Sequence, residues 1–266
     1  MGGAQRNQRK KNQRNANQAS KAIASARGAS SGRGKWIVSI VAVVVIAGAI
    51  IGGVLLTNSS KQAEANDIIP TADVKSNYEV KPNPDGTITA GKADAKVKLD
   101  FYEDLLCPAC GQFNKLYGEE VEKKLESGDI QVKYHVLPFL NENSSPPGYS
   151  ERSSAALYSV AVNSPDKFAS YERSLYNTQA QEQTAGYNDD QLISLGKRLG
   201  VGGSFEQDVR GGKYKDLMNK SLQSAGQDMQ KATGKLATPT ILHDGKNVDV
   251  TSNRNWLTDL INKAKG

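Results

Sequence analysis

The sequence predicts an α/β domain, with a central mixed sheet flanked by helices and an inserted helical segment, preceded by a single transmembrane helix. Three observations carry that expectation. Val97-Lys98-Leu99-Asp100-Phe101 alternates apolar and polar as a half-buried strand does, and leads through Cys107-Pro108-Ala109-Cys110 into helical spacing. Thr238-Pro239-Thr240-Ile241-Leu242 returns to strand character and meets the hairpin signal Asp244-Gly245. Residues 36–56 contain no charge, an apolar run of the length a bilayer demands.

The chain opens on a basic stretch. Residues 1–35 hold nine of the 34 Lys and Arg and none of the 28 acids, and Ile23 is their only large aliphatic residue after Met1. Too little apolar surface is present to offset ordering entropy, so this is expected to be a disordered cytoplasmic tail. Trp36–Leu56 follows, 21 residues long. At 1.5 Å per residue it would extend about 31 Å, close to a hydrocarbon core of ~30 Å. Trp36 suits an interfacial anchor. Positive charge concentrated ahead of the span puts the N-terminus inside and everything after residue 56 outside. Ala63-Glu64-Ala65 resembles a signal-peptidase site, but secretory apolar regions run only ~7–15 residues, so a single-pass, uncleaved anchor in the cell membrane is expected. The tail would lie along anionic inner-leaflet lipid, each charge adding ~1 kcal/mol. After the span, 25 basic residues face all 28 acids, a net charge of −3. That balance argues against nucleic acid as a partner of the folded part.

Residues 57–86 are polar, contain Pro70, Pro82 and Pro84, and close on Asp85-Gly86; they read as an extracytoplasmic linker to a domain spanning 87–266. Thr87-Ile88-Thr89 suggests a short first strand, and Lys96 to Tyr102 the strand that feeds the cysteines. A helix from about Pro108 to Glu126 stops at Ser127-Gly128, and Ile130 to Leu137 is a second strand. Strand, helix and strand in this order form a βαβ unit with parallel strands. Helical patterns then occupy about 149–162, 165–179, 189–199 and 205–233, the last interrupted at Gly211-Gly212, giving a helical insertion at about 148–233. Beyond Asp244-Gly245, Val248-Asp249-Val250 is expected to pair back, and Trp256, Leu257, Leu260 and Ile261 mark a closing helix.

Cys107 and Cys110 are the only cysteines in 266 residues. Pro108 fits the first helical position, which needs no amide hydrogen. Residues i and i+3 share a helix face, so modest adjustment brings the two sulfurs together. Unpaired amides and the helix dipole favour a thiolate there, with pKa values from ~3.5 to ~7.5 instead of ~8.5. Cys107, the more exposed, is the expected nucleophile and Cys110 the resolving thiol. A structural clip or half of a metal site are the bland alternatives. So short a loop gains little from cross-linking, and a zinc site needs about four ligands where the chain offers these two plus His135 and His243. No cofactor and no metal are expected. His135 reads as a packed sheet histidine and His243 as a solvated one.

The order of parts, together with Cys107-Pro108-Ala109-Cys110 and Thr238-Pro239, resembles the DsbA-like thiol–disulfide oxidoreductases of the thioredoxin superfamily. Tyr102-Glu103-Asp104 and Pro147-Gly148-Tyr149-Ser150 are similar to the membrane-anchored type of high-GC Gram-positive bacteria. The resemblance covers about 87–265 and implies a thioredoxin fold carrying an inserted helical domain. It also implies that Cys107 forms a mixed disulfide which Cys110 resolves. Pro239 would be cis and lie against the sulfurs, and Thr238 would offer backbone hydrogen bonds to an extended substrate. Pro108 and Ala109 would line the same substrate-facing surface. Two departures stand out. Where many relatives carry a buried acid, six residues before the first cysteine, this chain has Phe101; Asp100 and Glu103 are nearby, and either could take its place or neither, the solvated strand-end charge being the favoured reading of both. Ala109 stands where strongly oxidising members often have His.

Three functions follow as expectations. The first is an extracytoplasmic oxidase that introduces disulfides into exported cysteine-containing proteins and is reoxidised by a membrane quinone-linked partner. The second is a reductase or isomerase in the same compartment, and the third a non-catalytic binding module for envelope proteins.

Overall fold

The computed structural model describes residues 68–265. The expected tail at 1–35, the span at 36–56 and the first part of the linker lie outside them. Among the described residues no helix is long and apolar enough to cross a membrane.

Six strands form one sheet in the order β1-β2-β4-β3-β5-β6. They are β1 (Val80–Pro82), β2 (Ile88–Gly91), β3 (Val97–Glu103), β4 (Ile130–Val136), β5 (Thr240–His243) and β6 (Lys246–Asn247). β3 and β4 run parallel, joined through helix α1 (Pro108–Ser127), while every other neighbouring pair is antiparallel. This is the thioredoxin fold that the sequence leads one to expect. α1 ends in a Schellman turn: Gly128 adopts φ +75°, its amide donates to Leu125 O, and the Asp129 amide donates to Lys124 O.

One face of the sheet packs an aromatic core. Phe101 lies edge-on to Phe113 of α1 (5.4 Å) and to Tyr134 of β4 (5.7 Å), and Tyr134 meets Phe168 (5.3 Å). Leu116, which recurs at helical spacing with Phe113, Val121 and Leu125, is nonetheless 66% exposed. Tyr117 takes the inward place and donates its hydroxyl to Val250 O at 3.1 Å. Between β4 and β5 the chain builds α2 (Tyr149–Asn163), α3 (Phe168–Asn177), α4 (Asp189–Leu199), α5 (Phe205–Arg210) and α6 (Lys215–Thr233), and α7 (Trp256–Lys265) closes the domain. The opposite sheet face packs Tyr102, Leu137 and Leu242 against Ala225 and Met229 of α6.

The linker expectation of 57–86 needs correction for its described part. β1 lies inside it and pairs with β2, and Ile69 is 1% exposed. Ser170 and Ser174, one turn apart on α3, supply the reason. Ser174 Oγ accepts from the Ala72 amide (2.8 Å), while the Ser170 hydroxyl serves both the amide and the carbonyl of Val74 (3.0 and 3.2 Å). Arg198 donates to Ile69 O, and the Asn77 amide donates to Glu126 Oε1. An extended segment of polar composition thus finds partners on a helix instead of a strand. The hairpin differs as well: Asp244 and Gly245 form the two-residue turn with positive φ, but pairing stops at Asn247 apart from the Val248 amide, which donates to Ile241 O.

If the 69–78 segment is a structural strap, Ile69→Ala should cost about 2 kcal/mol or more. For a domain of this size that lowers Tm by at least roughly 4 °C, which differential scanning calorimetry would register; an unchanged Tm would mean the strap is not held.

Candidate active site

The site begins where β3 ends. Asp104, fully buried, accepts from the Leu106 amide (2.7 Å), the Leu140 amide (2.7 Å) and the Ser150 hydroxyl (2.8 Å). Its own carbonyl accepts from the Cys107 amide at 3.0 Å. The first bond is an Asx-turn, a short-range device of aspartate; the other two tie the turn to the loop after β4 and to the start of α2. The approach to the cysteines is therefore fixed from three sides.

Cys107 is the N-cap of α1, in extended conformation, with Pro108 at the next position. Cys110 lies in the first turn, and both are free thiols. The Thr238–Pro239 peptide bond is cis, and the Cys107 thiol donates to the Thr238 carbonyl at 3.3 Å. Cys107 and Cys110 are 5% and 1% exposed, so the nucleophile is less open than its position suggested. Its surroundings are open: Pro108 and Ala109 are exposed, and Ala237, Thr238 and Pro239 are partly so. The five expected site neighbours Cys107, Pro108, Ala109, Cys110 and Thr238 thus meet at one rim, with Pro239 beside them.

The two thiols differ in acidity. A hydrogen bond from the Cys110 thiol, joined by Thr238 and by the Ala109 and Cys110 amides, lowers Cys107 to about 7 against the opposing effect of burial. Burial raises Cys110 well above an ordinary thiol, and the bond to Cys107 adds to it. The pair is built so that one sulfur carries the negative charge.

Beneath Cys110 the core holds acids. Glu103 is buried, contrary to its reading as a solvated strand-end charge, and accepts from the Tyr176 hydroxyl of α3 at 3.1 Å. Glu172, also on α3 and buried, raises the local charge density further. Burial lifts Glu103 to about 7 and Asp104 to about 6, and lifts Glu172 as well, with the Glu103 charge contributing. Glu103 Oε1 and Glu172 Oε1 have no hydrogen-bond partner while both groups are acceptors. One proton held by the pair relieves that conflict. Asp100 points the other way: its Oδ1 is 2.9 Å from His135 Nε2, whose ring stacks on Tyr102 at 4.1 Å. His135 is packed in the sheet, as its place in the strand implied; His243 Nδ1 lies 2.9 Å from Lys98 O. Among the described residues no cluster of His, Cys, Asp and Glu is placed to hold a metal.

Sequence reading noted Asp104 only as part of Tyr102-Glu103-Asp104, without a role, and passed over Glu172, Tyr176 and Gln179, whose Nε2 donates to Leu105 O (3.1 Å) and Cys107 O (2.8 Å). For Glu103 the signal was present, since it shares the odd parity of the buried Val97, Leu99 and Phe101. For Gln179, a polar residue past a helix end, nothing in the local pattern marks it.

Two outcomes are expected. Absorbance of the Cys107 thiolate at 240 nm, followed against pH in the reduced protein, should titrate with a midpoint near 7; a midpoint above 8.5, the value of an ordinary thiol, would remove the asymmetry argued above. The second concerns Glu103. Its folded pKa lies above the unfolded value of ~4.3, so the unfolded chain binds fewer protons between the two and stability falls as pH rises through that window. Glu103→Gln should flatten this decline between about pH 4.5 and 7.5, as measured by urea unfolding across that range.

The geometry has counterparts. The thioredoxin family model matches residues 83–263. MdbA, a thiol-disulfide oxidoreductase from Corynebacterium diphtheriae, superposes with a TM-score of 0.59 and 25% identity over 73% of this chain and 95% of that one. Reduced DsbG, a disulfide bond oxidoreductase from Mycobacterium tuberculosis, gives 0.57 and 28% over 77% and 90%. Oxidised DsbA from the same organism gives 0.56 and 27% over 75% and 93%. Curated relatives are the serine/threonine-protein kinases PknE of Mycobacterium tuberculosis and Mycobacterium bovis, 27% identical over 178 residues. That match takes in 65% of this chain, which spans about a third (31%) of the kinases' length. With a family model covering more than half its length, the expected mixed sheet and solved relatives of DsbA type, the chain belongs to the thioredoxin family and resembles its DsbA-like thiol–disulfide oxidoreductases.

Proposed function

We propose that this protein is an extracytoplasmic thiol–disulfide oxidoreductase that introduces disulfides into exported proteins through Cys107 and Cys110. One observation carries the reading: two thiols share the start of α1, yet Cys107 is made more acidic and Cys110 much less so. A purely structural pair has no use for that split, and neither does a binding module.

In the oxidised pair, a client thiolate attacks Cys107 Sγ. The Cys107–Cys110 bond breaks, a client–Cys107 disulfide forms, and Cys110 leaves with the electron pair. Because Cys110 favours its protonated state, it takes up a proton; the Glu103–Glu172 pair is the buried acid on that side. A second client thiolate then attacks the client sulfur, forms the client's disulfide and expels Cys107 as thiolate. The low pKa of Cys107 makes it the better leaving group in this step. Two electrons now reside on the dithiol and must pass to an oxidant, for which a membrane quinone-linked partner is the proposed acceptor. The Thr238 edge would pair with an extended client main chain, and Leu236, half exposed two residues earlier, offers an apolar contact for an unfolded segment. The uncharged run 36–56 supports a single membrane anchor, and the basic residues before it support the domain lying outside. There disulfides persist.

A second reading, a reductase or isomerase in the same compartment, is favoured by one feature. At about 7, Cys107 matches the acidity of a thioredoxin cysteine more closely than the ~3.5 of a strong oxidant. The equilibrium of the full chain with glutathione decides between them. A potential near −120 mV marks a donor of disulfides, and one near −270 mV a reductant. In either case Cys110→Ala should accumulate mixed disulfides with exported proteins, visible on non-reducing gels; a variant that traps nothing would return the site to the binding-module class.

A further inference from the structure

We propose that Gln179 is a positioning residue for the redox turn, and that position 111 is glycine to make room for it. The inference deepens the proposed function, resting on Cys107 as the nucleophile. Gln179 sits on the segment leaving α3, within the inserted helices, and its amide reaches across to the start of α1. One amide nitrogen serves two carbonyls, Leu105 O at 3.1 Å and Cys107 O at 2.8 Å. Leu105 is 1% exposed, so its carbonyl is in the class of groups that need a partner. The Cys107 carbonyl also accepts from the Gly111 amide at 3.1 Å, so Gln179 adds a second donor where the helix begins.

Space for this contact comes from α1 itself. A Cβ on residue 111 would lie 2.1 Å from Gln179 Oε1 and 2.9 Å from its Cδ. The amide therefore fills the space a Cβ at position 111 would take, its oxygen nearest. Glycine inside a helix is less favourable than alanine, and here the missing methyl is what admits the clamp. Gln179 is itself held: Thr178 Oγ1 donates to Ser174 O at 3.2 Å, and Tyr187 donates its hydroxyl to Thr178 O. The helical insertion thereby grips the backbone on both sides of Leu106, directly ahead of Cys107. With that grip, the buried Leu105 carbonyl has its N–H donor and the Cys107 carbonyl a second one, which tempers their negative ends in the turn that carries the thiolate. The titratable groups around the cysteine pair are Cys110 on α1, Tyr176 on α3, and Glu103 and Asp104 at the end of β3. All of them remain in every variant below.

The test is a double-mutant cycle on the full chain, with Cys107 titrated at 240 nm in the reduced state. Gln179→Ala should raise the titration midpoint, leaving roughly threefold less thiolate at pH 6. Gly111→Ala should do the same by evicting Gln179. The double variant should match either single one, and its Tm should exceed that of Gln179→Ala, since alanine is the better helix former once the amide is gone. Gln179→Glu keeps the shape but replaces the donor with an acceptor, and should raise the midpoint further than alanine does. It also serves as the deciding variant if Gly111→Ala does not fold. Additive shifts, or a midpoint unmoved in both Gln179→Ala and Gln179→Glu, overturn the proposal. Because the titration involves no client and no turnover, that outcome leaves the oxidase reading standing. Conversely, a reductant's potential refutes the oxidase without moving the midpoint.

Discussion

The contact between the Cys107 thiol and the Thr238 carbonyl joins positions 131 residues apart. It exists only because β3 lies between β4 and β5, parallel to one and antiparallel to the other. β3 delivers the chain outward to Cys107 at the same edge where β5 receives it inward from Pro239. A hairpin joining β3 directly to a neighbour could not place a helix start over that edge; the crossover through α1 can. The Asp104 side chain then holds the outgoing turn to the loop after β4 and to α2. Sheet order, crossover and buried aspartate serve one distance.

The two faces of β3 carry their acids in opposite manners. Asp100 reaches partial solvent, its side chain 33% exposed, and pairs with His135 at 2.9 Å. Glu103, one strand parity away, enters an interior already holding Asp104, Glu172 and several tyrosines. Removing a carboxylate from water without a compensating cation is costly, and proteins answer by holding a proton instead. Arg173 moderates Glu172, but burial and the neighbouring carboxylate prevail. An interior built this way keeps a titratable proton within electrostatic reach of Cys110, the thiol that gains and loses one in the proposed cycle.

Much of this was legible in the sequence. The cysteine pair at a strand-to-helix junction, the parallel strands around it, the Thr-Pro at the start of the returning strand and the helices between them all follow from short-range patterns. Glu103 was legible too, through its parity with Val97, Leu99 and Phe101, although its charge argued for the opposite face. What escaped was long-range. Ser170 and Ser174 reveal nothing of a strap until the chain near Ala72 and Val74 is laid across them. Gln179 looks like any polar residue beyond a helix until Leu105 and Cys107 present their carbonyls to it. Leu116 shows the converse limit: periodicity nominated it, and the tighter stripe through Phe113 and Tyr117 displaced it to the surface.

The docking of Ile69 and its neighbours against α3 and α4 also sets a reach. A free tether over 57–86 would pay out about 100 Å of extended chain beyond the proposed span, whereas fastening at residue 69 leaves only about 40 Å. Were the proposed anchor in place, a head on so short a leash would work on polypeptides close to the bilayer and stay within range of the electron acceptor proposed to reside there. Cutting the strap loose would lengthen its radius of action without altering a single atom of the chemistry.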